Sequence, residues 1–343
     1  MPGSGLKTRL TMIRHFLVLT LIGISTLSWS LTFVAVTDKQ TSRSGNPHNY
    51  ESLSTYWWPN ESSADGLPYY ERDGLWNPEY KQYDLPRLFQ LVENLKTFTA
   101  NYATDRNASH KAFCKQLDIW FLNKDTRMLP NFTYSQFVPG RNNGEGFPGG
   151  IIDAYNFISV IDNIERMDNN KSIGLIRRWK LRKWFSDFME WMLTSSQGKT
   201  EATSTNNHGL AYDITLYRMA RFTRQNDLCK LLVPRITQRI NAQIEAQGQQ
   251  PAELKRTRAF FYSAYNLEHM VDFCLMMHQA GYNYLDNEGS RIKEAILYLT
   301  PYLGRQSAWP YQEIGSWKEG ENILRKQIRR CQEISTDERL KKL

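Results

Sequence analysis

Ser204-Thr205-Asn206-Asn207-His208-Gly209 is a polar break between two helical patterns, at about 173–196 and 210–224. Before it, Trp179, Trp184, Phe185, Phe188, Trp191 and Met192 recur at the spacing of one helix face. Further on, Arg258-Ala259-Phe260-Phe261-Tyr262-Ser263-Ala264-Tyr265 opens another helical pattern at about 257–280. Working outward, the same alternation recurs. Asp84, Pro86 and the stripe Leu88, Leu91, Val92, Leu95, Phe98 predict a helix from 84. Others are predicted at about 108–123, 151–167, 226–247, 287–303 and 316–335, with Pro234 kinking or opening the 226–247 helix. No convincing alternating strand runs occur. The rhythm of helix, short turn, helix, longer loop predicts an all-α fold, an (α/α) toroid or incomplete α/α barrel of paired helices. In such a ring the longer loops gather at one rim, which would bring 131–136, 207–208 and 258–265 around one cleft.

Two stretches break the helical rhythm. Residues 47–80 are dense in aromatics, Pro and Gly (Tyr56-Trp57-Trp58-Pro59, then Asp65 to Gly74), which predicts an ordered loop that either packs over the domain or walls a cleft. Residues 125–150 hold Tyr134-Ser135-Gln136 and a Gly-rich segment, Gly144 to Gly150. A loop this long in a compact domain is usually functional.

Phe16 to Val36 form an apolar run after Arg9 and Arg14, read as a signal peptide or an uncleaved membrane anchor over 1–36. A polar linker follows over 37–46, and the catalytic domain spans 47–343. Four Asn-x-Ser/Thr sequons, at Asn60, Asn107, Asn131 and Asn170, join the leader in predicting a secreted glycoprotein. The net charge of +8 suits an acidic ligand, yet no basic run or nucleic-acid motif appears. Cys114, Cys229, Cys274 and Cys331 form no CxxC pair, so their spacing argues against zinc and leaves disulfide or free thiol open.

Asn207, His208, Arg258 and Tyr265 together make a tool kit for removing a proton beside a carboxylate. Arg258 and Tyr265 stand seven apart, about two helical turns, so both can face one way if the helix includes them. Abstraction of that proton requires the carboxylate to be neutralised, and an amide donor with a forked guanidinium can do so. An imidazole with a reference pKa of ~6.5 is a natural base, and a neutral phenol is an acid for the leaving oxygen. Taken singly, each residue has a structural use: Asn207 as a helix cap, Arg258 as an ion-pair partner, Tyr265 in the core. His269 and His278, on one helix, pack or face solvent, and Glu268 is structural.

The ordered set of motifs resembles the alginate lyase family of toroid polysaccharide lyases. Pro47-His48-Asn49-Tyr50 through Trp57-Trp58-Pro59, with Arg72-Asp73-Gly74, is similar to its N-terminal signature. Tyr134-Ser135-Gln136 with Gly150-Ile151-Ile152-Asp153 is similar to its central one. Asn206-Asn207-His208 resembles its Asn-His pair, and Arg258 through Tyr265 its Arg-x6-Tyr element. The resemblance implies β-elimination on a polyuronate, alginate first and glucuronan second. It implies that Asn207 and Arg258 neutralise the carboxylate and that His208 and Tyr265 share the proton transfers. It selects Arg258 over Arg256 and Tyr265 over Tyr262 as catalytic. It puts Gln136, Tyr134, Tyr262, Trp57 and Trp58 on the substrate. No metal or other cofactor is called for. The expected partner is an acidic polysaccharide bound by a monomer, with membrane contact only if the leader stays uncleaved. Gly209 departs from the larger residue that related members often carry. Two other classes compete: a toroid hydrolase, using Asp153 with Glu145 or Asp213 as paired carboxylates, and an inactive glycan-binding protein.

Overall fold

A computed structural model describes residues 45–169 and 172–343; the leader, most of the linker and the sequon at Asn170 lie outside the described residues. The predicted helices are present with shifted ends. α1 is Leu85–Asn101, α2 Arg106–Leu117 with a π turn to Leu122, and α3 Asn156–Asp168 after a 3-10 stretch from Pro148. α4 is Leu175–Thr194, α5 Ser196–Glu201, α6 Asn207–Thr223 and α7 Asn226–Gln243. α8 is the single turn Pro251–Leu254, α9 Ala259–Gln279, α10 Tyr284–Asn287, α11 Ser290–Leu299, α12 Trp317–Ile334 and α13 Glu338–Lys341. Pro234 lies inside α7 on its exposed side, where water can take the carbonyl that loses its partner.

Burial separates an inner set of helices from an outer one. α6 and α9 are buried nearly all round, and the polar residues they bury, including Asn207, Asp213 and Arg218 on α6 and Asn266 and His269 on α9, sit among mostly apolar neighbours. α4, α7 and α12 bury one stripe and expose the other, and they pack against α6, α6 and α9 respectively. This is the incomplete α/α toroid anticipated from the helical rhythm. Much of the aromatic content is its core. Phe121, Phe132, Phe157, Trp184, Phe185 and Phe188 form one cluster, with Trp184 stacked on Phe188 at 5.5 Å and Phe157 edge-on to Phe188 at 5.4 Å. Edge and offset pairs of this kind add about 0.5–1.5 kcal/mol each beyond burial.

Four short strands were not legible in the sequence, being too brief to alternate. β1, Glu51–Leu53, runs parallel to β4, Tyr134–Phe137; β2, Trp57–Trp58, pairs antiparallel with β3, Tyr70–Glu71. They tie the aromatic N-terminal loop to the central loop and bring both to the rim. Cys114, Cys229, Cys274 and Cys331 are free thiols, and all except Cys229 are buried. No helix of the described residues is long and apolar enough to cross a membrane.

Candidate active site

The segment before His208 is held from outside by α7. Asp213, fully buried on α6, accepts from Arg235 at 2.8 Å and Arg239 at 2.5 Å. Those arginines also donate to the carbonyls of Ala202 and Ser204, and Gln243 donates to Thr205 and Asn206. The turn thus has its carbonyls satisfied by a buried charge network, which makes it rigid. Gly209 follows from this: a Cβ there would sit 1.9 Å from the Ser204 carbonyl and 2.5 Å from Arg239. Asn206, not Asn207, is the cap of α6, accepting from the His208 N–H at 3.1 Å.

Asn207 is therefore released for another use. Its Nδ2 donates to both oxygens of Glu253, at 3.0 and 2.9 Å, and its backbone N–H donates to the same carboxylate. Burial pushes the Glu253 carboxyl up, while Asn207, Arg256 and His208 hold it back. His208 Nδ1 lies 2.8 Å from the buried carboxylate of Glu201 at the end of α5. That contact leaves Nε2 as the nitrogen without a bond to any described residue. A Cβ on Gly149 would be 3.3 Å from the His208 Cε1, so the bare glycine keeps the ring's flank open.

Across from this pair stands the start of α9. Tyr262 shares a hydroxyl–hydroxyl hydrogen bond with Tyr56 of the N-terminal loop, and the Arg256 guanidinium lies 3.7 Å from its ring centroid. Arg256 is held by Asp73 through Nε and Nη2, and its Nη1 makes no bond to a described residue. Tyr265 is half-buried, stacked on Phe261 at 6.0 Å and edge-on to His269 at 4.5 Å. Its hydroxyl takes no hydrogen bond from a described residue. Burial and then Glu268, with Tyr56, Asp153 and Glu253 adding, push that phenol well above its ordinary range. Tyr262 is also pushed up, by burial and then Tyr56, with Arg256 pulling the other way.

Arg258 does not join this group. It is the residue before α9, outside helical geometry at φ −120° and ψ 60°, so helical spacing to Tyr265 does not apply to it. Residues 257–259 are tied to 312–314 by backbone bonds, and the Arg258 side chain pairs with Glu319 and lies 4.0 Å over the Phe261 ring. The cation over a tyrosine, with a field that reaches Glu253, is Arg256, whereas Arg258 lies with Glu319 and Phe261.

The central strand supplies the floor. Gln136 is in the left-handed region at φ 45°, strain that a non-glycine residue carries only where its surroundings enforce it. Its backbone N–H donates to Ser52 at 2.8 Å and its amide to Asp153 at 2.8 Å. Asp153 also accepts from Tyr50 and Ser52. Tyr134 is half-buried two residues earlier. Trp57 faces Phe147 of the Gly-rich loop at 6.5 Å and has Arg141 at 4.9 Å, while Trp58 has Arg72 at 5.0 Å. The carboxylates of the hydrolase alternative are engaged otherwise: Asp153 is buried under three donors and Asp213 under two arginines, while Glu145 is exposed. His269 is fully buried with neither ring nitrogen bonded, and His278 is exposed; Glu268 pairs with Lys326 at 2.7 Å.

Glu201, Glu253, Tyr56 and Arg256 were not singled out beforehand as site residues. Only Arg256 carried a signal, its closeness to Tyr262; the carboxylates reach the site through packing of helices that the sequence does not pair.

The alginate lyase family profile matches residues 35–309. The crystal structure of an alginate lyase from Bacteroides ovatus superposes with a TM-score of 0.81 at 36% identity, covering 87% of this chain and 80% of that one. Alginate lyase A1-III from Sphingomonas species A1 superposes with a TM-score of 0.60 at 12% identity, over 90% of this chain and 84% of that one, a likeness of fold alone. No curated protein matches the chain.

Proposed function

The chain belongs to the alginate lyase family and is a polysaccharide lyase, and we propose that it cleaves alginate by β-elimination with His208 as base and Tyr265 as acid. The uronate carboxylate is taken by the free Nη1 of Arg256, while the Asn207 amide, which donates to both oxygens of Glu253, holds the Glu253 carboxylate away from it. Neutralised there, the sugar can lose its C5 proton as negative charge moves into the carboxyl group. His208, with Nδ1 turned to Glu201, accepts that proton on Nε2. Tyr265 gives its phenolic proton to the departing glycosidic oxygen, leaving an unsaturated uronate end. The observation that carries this division is the setting of Tyr265, packed between Phe261 and His269: burial first, and then the charges of Glu268, Asp153 and Glu253 with the Tyr56 phenol, favour the protonated form, so it serves as donor. Base and acid are then separate groups, which suits guluronate, where proton and leaving oxygen lie on opposite faces.

A second reading rests on Arg256 lying against Tyr262, the arrangement that favours a phenolate. On mannuronate, Tyr262 would then both take and return the proton. Incubation with polymannuronate, polyguluronate and glucuronan, followed by the ultraviolet absorbance of unsaturated uronates, tests the reaction. Reducing ends without that absorbance would mean hydrolysis and end the lyase mechanism. The apolar leader and the sequons support action outside the cell; of the described sequons, Asn107 is exposed on α2.

A further inference from the structure

A cleft of about 560 Å³ opens beside the proposed centre, lined by Trp58, Arg72, Trp76, Arg258, Phe261 and Glu319 among others. Its volume falls within the range of ligand sites, about 300–1,000 Å³. We propose that it is a subsite for a further uronate residue of the substrate, read by Arg258 and Arg72 and stacked on Trp76; this rests on the polyuronate reading given above.

Three features support it. Arg258 is only 6% exposed; its Nε faces the buried Glu313 carboxylate at 3.9 Å, and its Nη2 pairs with Glu319. Glu319 is 56% exposed on its side chain, and such pairs contribute little and yield readily, so a substrate carboxylate can take its place on the guanidinium fork. Trp76 is 42% exposed, a large flat face of the kind that packs on a sugar ring. Arg72 is exposed beside it, 5.0 Å from the Trp58 ring.

Phe261 joins the cleft to the centre. One ring lies under the Arg258 guanidinium at 4.0 Å and is stacked on Tyr265 at 6.0 Å. A chain held across Tyr265 therefore meets this cleft without leaving the surface.

The test uses the full chain with the exposed residues, Trp76→Ala and Arg72→Ala, because Arg258 is buried and its loss can disturb the fold. KM on long polyuronate should rise about tenfold with kcat within about twofold, the size of one stacking or charged contact. The shortest cleaved oligouronate should show no change. An unchanged KM on polymer, an equal loss on the shortest oligomer, or a loss confined to kcat would each overturn the subsite. Binding is read separately by tryptophan fluorescence with an oligouronate and its methyl ester. The acid should bind the unsubstituted chain about tenfold tighter than the ester, a gap that narrows in Arg72→Ala; equal binding of acid and ester overturns the acidic assignment. Absence of eliminative turnover in the unsubstituted chain would strike the function reading, whereas this titration judges the cleft without turnover.

Discussion

Arg256 and Arg258 are two residues apart and face different regions. Arg256 lies with Asp73 against Tyr262, and its field reaches Glu253, which holds Asn207. Arg258 belongs to a neighbouring cleft with Glu319 and Trp76. The backbone explains the difference. Helical periodicity starts at Ala259; the three residues before it follow a turn and a bridge to the 312–314 segment. A spacing rule valid inside α9 was extended one residue beyond the end of the helix.

The largest expected effect separates these arginines. Arg256→Ala should lower kcat/KM about a thousandfold or more, the scale of removing one group that stabilises developing charge, about 4 kcal/mol. Arg258→Lys, which leaves the buried Glu313 a cation but loses the guanidinium fork, should cost less than about tenfold and act through KM. Steady-state kinetics on alginate that show the reverse order would restore Arg258 to the centre.

His208→Ala and Tyr265→Phe should each reduce turnover about 10²–10⁴-fold, as expected for loss of a general base or acid. Tyr262→Phe sharpens the comparison within α9. A greater loss there than in Tyr265→Phe, on polymannuronate, would favour the Arg256-assisted phenolate.

Glu201→Gln should reduce kcat by about ten- to a hundredfold with KM little changed, because the carboxylate fixes the His208 ring through Nδ1 and so aims Nε2; steady-state kinetics check the split.

The alkaline side of the profile tests the direction of the Tyr265 shift. Burial and nearby carboxylates raise this phenol above its ordinary value of about 10. An acid retains function below its pKa, so kcat/KM should stay flat from neutral pH to about 10. A rise over that interval would mean that phenolate is the active form.

The smallest effect concerns stability. Burial, and then His208, lowers His269 from 6.5 to about 3. The unfolded chain therefore binds this proton first, and the stability from keeping His269 neutral is present above 6.5 and lost as pH falls toward 3. His269→Leu should make the unfolding free energy fall less steeply with decreasing pH over that interval, checked by denaturant unfolding at pH 6.5 and at lower pH.

The helices were legible because apolar residues recur at the period of the helix wherever a face is buried, as in Leu88, Leu91, Val92 and Leu95. His208 was legible because a polar break in that period must lie at a rim. The strands were not, since two to four residues are too few to show an alternation. Glu201 and Glu253 were not, since a carboxylate at a helix end looks like many solvated ones until its partner is in place.

What the sequence by itself determined is the paired-helix ring, the rim loops, and an amide and imidazole side by side at the head of a buried helix. These follow from local periodicity and from residue type. Only the tertiary structure decided that Asn206 is the cap and Asn207 is free to turn to Glu253. It also decided that Glu201 lies against His208 Nδ1, that Tyr265 stacks on Phe261 beside His269, and that Arg256 rather than Arg258 lies over the Tyr262 ring. Each of these depends on side chains from different elements meeting across the fold, and on a backbone direction that spacing along the chain does not encode.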